Sequence, residues 1–280
     1  MTGPLISVEE ARGLLASGAP VRLLDVRWRV DKPDGRDDFR AGHLPGAAFV
    51  DLDAELAHHG EPADGRHPLP SREALQEAAR SWGLHDGDVV IAYDDNGGLS
   101  AARAWWLLRW AGMPVRVLDG GLAAWTAAGG ELESGDVAPV RGTVVLAEGR
   151  MPVTDIDGAA GAPARGVLLD ARAPERYRGE VEPIDPVAGH IPGARNAPAA
   201  GNLGPDGRFR PAAELAERFA AVGAVPGTEV VAYCGSGVTA AADILALEIA
   251  GIPATLYPGS WSQWSNTPGR PIATGDEPAS

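Results

Sequence analysis

The sequence has one cysteine, one lysine and no long uninterrupted apolar run, and each shortage excludes something. A lone cysteine rules out an intramolecular disulfide and any multi-cysteine zinc or iron–sulfur site. A bilayer-spanning helix needs about 20 consecutive apolar residues. The most apolar stretch, Ala240 to Ala250, is interrupted by Asp243 and Glu248. From Met1 to Ser17 there is no basic segment followed by an apolar core, so no secretory signal is expected. A free thiol without an export signal suits a reducing cytoplasm, the expected location. Positive charge is also scarce: 24 basic against 38 acidic residues leave a net charge of −14. No basic cluster offers a face to phosphates, so neither nucleic acid nor a membrane is an expected partner. Lys32 is the only lysine, and the preference for arginine and alanine reads as genome composition.

What is present is a chain of 280 residues, 45% hydrophobic and 22% charged, enough for about two domains with real cores. It repeats itself once. Leu23-Leu24-Asp25-Val26-Arg27 returns as Leu168-Leu169-Asp170-Ala171-Arg172, and Gly42-His43-Leu44-Pro45-Gly46-Ala47 as Gly189-His190-Ile191-Pro192-Gly193-Ala194. Val90–Tyr93 matches Val230–Tyr233, Ala111–Pro114 matches Ala250–Pro253, and Gly120–Trp125 matches Gly259–Trp264. Five matches in one order, with nearly constant offset, mean a duplicated domain. The implied boundaries are 1–135 for the first domain, 136–152 for the linker and 153–280 for the second. The Gly- and charge-rich stretch from Glu131 to Gly149 supplies the linker, with an internal hairpin as the alternative.

Each half reads as alternating strands and helices. The expected strands are Val21–Val26, Val89–Tyr93 and Val115–Leu118, then Gly166–Asp170, Glu229–Tyr233 and Ala254–Tyr257. The expected helices are Arg72–Trp82 and Ser100–Ala111, then Pro211–Val222 and Thr239–Ala250. Gly112 and Gly251, each with a proline two residues on, stop the long helices. This alternation implies a mainly parallel sheet covered on both faces. In such sheets ligands sit at the carboxyl ends of strands, beside helix N-termini.

Cys234 stands at that position. The strand ending at Tyr233 is followed by Cys234-Gly235-Ser236-Gly237-Val238-Thr239, which opens the next helix. Glycines let successive N–H groups turn toward one atom, and the helix dipole adds positive potential, so the loop favours a thiolate nucleophile. A cysteine phosphatase would need an arginine six positions after the cysteine to clamp phosphate. Ala240 is there instead. Aligned on the following helix, Asp95 stands opposite Cys234 in the first half, which therefore offers no thiolate nucleophile.

The two Gly-His-(Leu/Ile)-Pro-Gly-Ala motifs, the cysteine loop and Tyr257-Pro258-Gly259-Ser260-Trp261 resemble the tandem rhodanese-type sulfurtransferases. That group contains thiosulfate sulfurtransferase and 3-mercaptopyruvate sulfurtransferase, and the resemblance runs from about Ile6 to Pro271. It implies an α/β fold of two tandem rhodanese-like domains, only the second catalytic. It also implies a Cys234 persulfide loaded by a small anionic donor and unloaded by a thiol, cyanide or a thioredoxin-like protein, with no metal or organic cofactor. Gly235, Gly237, Val238 and Thr239 would hold the sulfur through their loop. Gly235 and Ser236 match the mercaptopyruvate-preferring members, in which the serine is linked to a histidine and an aspartate. His43 matches that histidine, with Asp34 preferred to Asp37 and Asp38 as its partner, although His190 repeats the motif and points to a turn-building role. Arg178 matches a substrate arginine. A second arginine of the family pattern is missing from Glu182-Pro183-Ile184-Asp185-Pro186, which leaves thiosulfate open as donor. The alternative class is a non-catalytic persulfide carrier serving a partner protein. Arg103 and Arg109 are not expected at the substrate, and Trp125 and Trp264, which match across the repeat, are expected to be structural. Trp261 is a candidate for the pocket lining.

Overall fold

A computed structural model describes residues 3–276; the outermost ends of the two expected domains lie outside the described residues. The chain forms two compact units. Unit 1 takes in the chain up to His58, Leu69–Met151 and Pro205–Phe209; unit 2 takes in His59–Pro68, Pro152–Gly204 and the chain from Arg210. Each unit therefore contains a short segment drawn from the other half of the sequence. No helix among the described residues is long and apolar enough to cross a membrane.

Unit 1 is built on a five-stranded parallel sheet of β1 (Leu5–Ile6), β2 (Val21–Asp25), β3 (Ala48–Phe49), β4 (Val89–Tyr93) and β5 (Val115–Leu118), in the order β1-β5-β4-β2-β3. Its helices are α1 (Val8–Ala16), α2 (Arg36–Ala41), α3 (Leu52–Glu55), α4 (Arg72–Ser81), α5 (Ala101–Trp110) and α6 (Gly121–Ala127). Unit 2 has four parallel strands, β6 (Gly166–Asp170), β7 (Arg195–Asn196), β8 (Glu229–Tyr233) and β9 (Thr255–Leu256), in the order β7-β6-β8-β9. Its helices are α7 (Ile156–Arg165), α8 (Pro174–Tyr177), α9 (Ala212–Ala221), α10 (Thr239–Ile249) and α11 (Ser260–Ser265). A single parallel bridge from Val153 to Leu256 stands where unit 1 has its edge strand β1.

The central strands read as continuous apolar runs because helices cover both faces, and the duplicated positions do duplicated work. Asp25 and Arg27 form a buried ion pair at the end of β2; Asp170 and Arg172 repeat it at the end of β6. Trp125 Nε1 donates to the Glu131 carbonyl, and Trp264 Nε1 to the Pro271 carbonyl, each at 2.9 Å, so both tryptophans are structural as expected. The stretch from Glu131 to Gly149 forms no hairpin. It runs along unit 1 with Val144 and Leu146 buried, its amides donating to carbonyls of Arg80, Leu84 and Ala111.

Helix α10, which follows the cysteine loop, is buried from Ala240 to Leu247, and this includes Asp243. One carboxylate oxygen of Asp243 accepts from Asn202 Nδ2 at 2.6 Å; the other has no hydrogen-bond partner among the described residues. Burial pushes this carboxyl up to about 8, against the opposing pull of Asn202 and Arg218. Between roughly pH 4 and pH 8 the folded chain therefore holds a proton that the unfolded chain releases, so this group's contribution to stability falls as pH rises. The Asp243→Asn variant is expected to show a flatter decline of Tm between pH 5 and pH 8 than wild type, measured by thermal unfolding across that range.

Candidate active site

The loop after β8 is shaped by glycine at two points. Gly237 has φ near +80°, and a Cβ there would lie 2.6 Å from the Pro258 carbonyl oxygen, so no other residue fits. This turn brings the Gly237 N–H to the Cys234 sulfur, to which it donates at 3.1 Å. Cys234 itself is buried. From outside the loop, the Trp261 and Ser262 amides donate to the Cys234 and Gly235 carbonyls, both at 2.9 Å. The Cys234 N–H donates to Ser260 Oγ at 3.2 Å. Trp261, expected near the pocket, is fully buried, and the Arg172 guanidinium stacks 4.8 Å from its ring centroid.

The equivalent loop of unit 1 explains what the arrangement is for. There the residue after the strand is Asp94, and the Leu122 N–H donates to its carbonyl just as Trp261 does to that of Cys234. Asp94, not Asp95, therefore stands at the position of the cysteine. Alignment on the helix missed this because the extra residue of the first loop, Gly97, lies between the strand and the helix. The Asp94 carboxylate is fully buried and accepts four backbone N–H bonds, from Asn96, Gly98, Ser100 and Ala101, at 2.8–3.1 Å. Burial raises its pKa and the four donors oppose that rise. In unit 2 the counterparts of those donors are Ser236, Gly237, Thr239 and Ala240. Gly237 meets the sulfur, and the other three amides have no protein acceptor among the described residues. The unit 1 loop is thus a nest that carries its own anion.

Three expected site residues are placed elsewhere. His43 is fully buried in unit 1, stacked on Phe39 with centroids 3.8 Å apart, its Nδ1 2.8 Å from the Phe39 carbonyl. His190 repeats this on Tyr177, also at 3.8 Å and 2.8 Å, and burial pushes its imidazole below the ordinary value, keeping it neutral. The Gly-His-x-Pro-Gly-Ala motif thus builds a stacked turn in both units. Asp34 accepts from the Arg36 amide, Asp37 pairs with Arg40 and Asp38 with Lys32, so none of the three bonds His43. Arg178 binds Glu180 and faces Asp276, and among the described residues it bonds nothing in the cysteine loop. Ser236, within the loop itself, is buried.

The histidine that Ser236 does meet is His67. Their hydrogen bond, Nδ1 to Oγ, is 2.7 Å long. His67 belongs to unit 2 through the segment His59–Pro68, whose Arg66 N–H also donates to Ser262 Oγ at 3.0 Å. A Cβ on Gly235 would lie 3.0 Å from Arg66 Nη2 and 3.4 Å from Arg176 Nη1, so two guanidinium groups converge at the loop. Arg66 is paired with Asp185, and Arg176 with Glu182 at 2.6 Å and Asp185 at 3.4 Å. A sixth match across the repeat marks this segment in the sequence: Asp64-Gly65-Arg66-His67 against Asp206-Gly207-Arg208-Phe209. In unit 1, Phe209 packs against Gly98 of the Asp94 loop, where a Cβ on the glycine would meet its ring at 2.9 Å. An apolar ring thus serves the loop that carries its own anion, and an imidazole serves the loop that carries the cysteine.

The chain matches the Rhodanese-like domain over residues 7–128 and 157–267. It is 47% identical over 278 residues to a putative thiosulfate sulfurtransferase, SseB, of Mycobacterium tuberculosis, covering 97% of each chain. It is 48% identical over 266 residues to a probable 3-mercaptopyruvate sulfurtransferase of Pseudomonas aeruginosa, covering 91% of this chain and 92% of the other. Among solved structures, that of the 3-mercaptopyruvate sulfotransferase SseA of Escherichia coli superimposes with a TM-score of 0.82 at 31% identity, covering 93% and 99%.

Removing the carboxylate of Asp94 leaves four buried N–H groups without an acceptor, each costing about 1–3 kcal/mol before relaxation or water entry. Asp94→Ala is expected to destabilise the protein by about 3 kcal/mol or more in urea unfolding. Loss of less than about 1 kcal/mol would contradict the assignment of Asp94 as the structural anion of unit 1.

Proposed function

Because the chain belongs to the rhodanese family, we propose that it is a sulfurtransferase whose nucleophile is Cys234, with 3-mercaptopyruvate as the favoured donor. The observation that carries this reading is the pair of matched loops: the amides that hold a carboxylate in unit 1 are offered in unit 2 to a sulfur. A persulfide anion is the species such a nest suits, because preorganised donors face it at no cost in reorganisation. The Cys234 thiolate attacks the sulfur of the donor. The donor carbon–sulfur bond breaks, its electron pair passes to the enolate of pyruvate, and Cys234 is left as a persulfide. A thiol, cyanide or a thioredoxin-like protein then attacks the outer sulfur, and the sulfur–sulfur bond breaks to return the thiolate.

Two features favour the mercaptopyruvate reading over thiosulfate. Ser236 and His67 form a hydrogen-bonded path for a proton, which a thiol donor and its leaving enolate require and thiosulfate does not. Arg66 and Arg176 present planar forks suited to a carboxylate. Glu182 and Asp185 already balance much of their charge, which favours a singly charged end over a compact dianion. The relay role expected of His43 thus passes to His67 and the anchoring role expected of Arg178 to Arg66 and Arg176, while the supporting role expected of Asp34 has no counterpart in this reading. A persulfide carrier would need the amide nest but not the proton path.

Intact-mass measurement after exposure to each donor tests the nucleophile: wild type gains one sulfur atom and Cys234→Ser gains none. With 3-mercaptopyruvate and cyanide, His67→Gln is expected to lower kcat about 100-fold. His43→Gln should lower Tm and leave kcat within about twofold. A larger kcat/KM for thiosulfate than for 3-mercaptopyruvate would overturn the donor assignment, and loading without turnover on either donor would favour the carrier.

A further inference from the structure

Ser260 is the only non-glycine residue with positive φ among the described residues, at 54°. An L side chain in the left-handed region crowds its own backbone, which is why glycine normally takes such positions. The repeat shows that glycine is the ordinary solution here as well. The counterpart of Ser260 in unit 1 is Gly121, with φ of 53°, in the same turn at the start of α6. A Cβ on Gly121 would lie 2.3 Å from the Asp94 carbonyl oxygen. Unit 2 has made room for a side chain that the backbone conformation disfavours.

The hydroxyl of that side chain is fully committed. Ser260 Oγ donates to the Tyr257 carbonyl at 3.0 Å and accepts from the Cys234 N–H at 3.2 Å, and the residue is wholly buried. No solvent role is open to it. Among the described residues, the hydrogen bond it makes to the cysteine loop is to the backbone of the nucleophile.

The two loops differ in how they can be held. In unit 1 the Asp94 carboxylate ties the nest together from within, through four bonds. In unit 2 the same amides must stay available to sulfur, so the loop cannot be tied from within. It has to be fixed from behind. We propose that Ser260 is a positioning residue, kept in a disfavoured backbone conformation so that its hydroxyl fixes the Cys234 amide and aims the sulfur at the Gly237 N–H. This deepens the reading of Cys234 as nucleophile and rests on it.

The test uses the full chain with Ser260→Gly and Ser260→Ala. The glycine variant relieves the backbone and loses the hydroxyl; the alanine variant loses the hydroxyl and keeps the crowding. Ser260→Gly is expected to melt within about 2 °C of the wild-type temperature, because relief of the backbone offsets the cost of leaving the buried Cys234 N–H without its acceptor. Its kcat should fall about tenfold while KM for 3-mercaptopyruvate stays within twofold, because the donor anchors are untouched. Ser260→Ala should show a comparable loss of kcat and melt below the glycine variant. A glycine variant with kcat within twofold of wild type would overturn the proposal. So would a glycine variant that melts several degrees below wild type, since the serine would then be kept for stability. If wild type itself gains no sulfur on Cys234, the nucleophile reading fails. If it gains sulfur and Ser260→Gly keeps its kcat, only the positioning role fails.

Discussion

A ring of backbone amides at the junction of a strand and a helix is buried in each unit, and buried donors must be given an acceptor. Most of the local design follows from how each unit answers that demand. Unit 1 answers with a side chain of its own: Asp94 takes four amides, Phe209 packs against the loop, and the position before α6 is a plain glycine. Unit 2 has no such carboxylate: the Gly237 amide meets the Cys234 sulfur, and in the reading proposed above the remaining amides serve an incoming sulfur. The carboxylate becomes a thiol, the phenyl ring becomes an imidazole within reach of Ser236, and the glycine becomes a serine that holds the loop from behind.

Charge follows the same logic. The chain carries a net charge of −14, yet the donors proposed for it are anions, so attraction has to be local. Two guanidinium groups converge over Gly235, a residue with no side chain to obstruct them. They are held in place by Asp185 and Glu182, whose own burial depends on those pairings. For Asp185, burial raises the carboxyl and Arg66 pulls it back. The result is a fixed pair of forks with little surplus positive charge around them.

Much of the fold was legible in the sequence. The expected strands Val89–Tyr93, Val115–Leu118, Gly166–Asp170 and Glu229–Tyr233 occur with those bounds, and the long helices differ by a residue or so at their ends. Apolar runs and glycine stops carry that information locally. Cys234 was legible for the same reason, as a strand-to-helix glycine turn. The histidine that meets Ser236 was not. Gly42-His43 drew attention because it repeats as Gly189-His190, but a feature present in both copies belongs to what both copies share, which is the fold. The residues peculiar to the cysteine-bearing unit are those that break the repeat: Cys234 against Asp94, Ser236 against Asn96, His67 against Phe209, Ser260 against Gly121. Arg176 was passed over for Arg178 because two positions along a chain turn a side chain to another side of the helix end, which spacing in a loop does not reveal. His67 and Arg66 lie far from Cys234 along the chain, so no local pattern joins them to it.

Each unit is completed by a short stretch of chain from the opposite half: His59–Pro68 in one case, Pro205–Phe209 in the other. The duplication that made this protein is for that reason no longer reversible. A gene cut at its midpoint would encode a cysteine-bearing half without its imidazole and one of its two guanidinium groups, and a partner half without the ring that packs against its loop. Each half of the sequence therefore carries a segment that the other half's unit needs, and substitutions in that segment act on both.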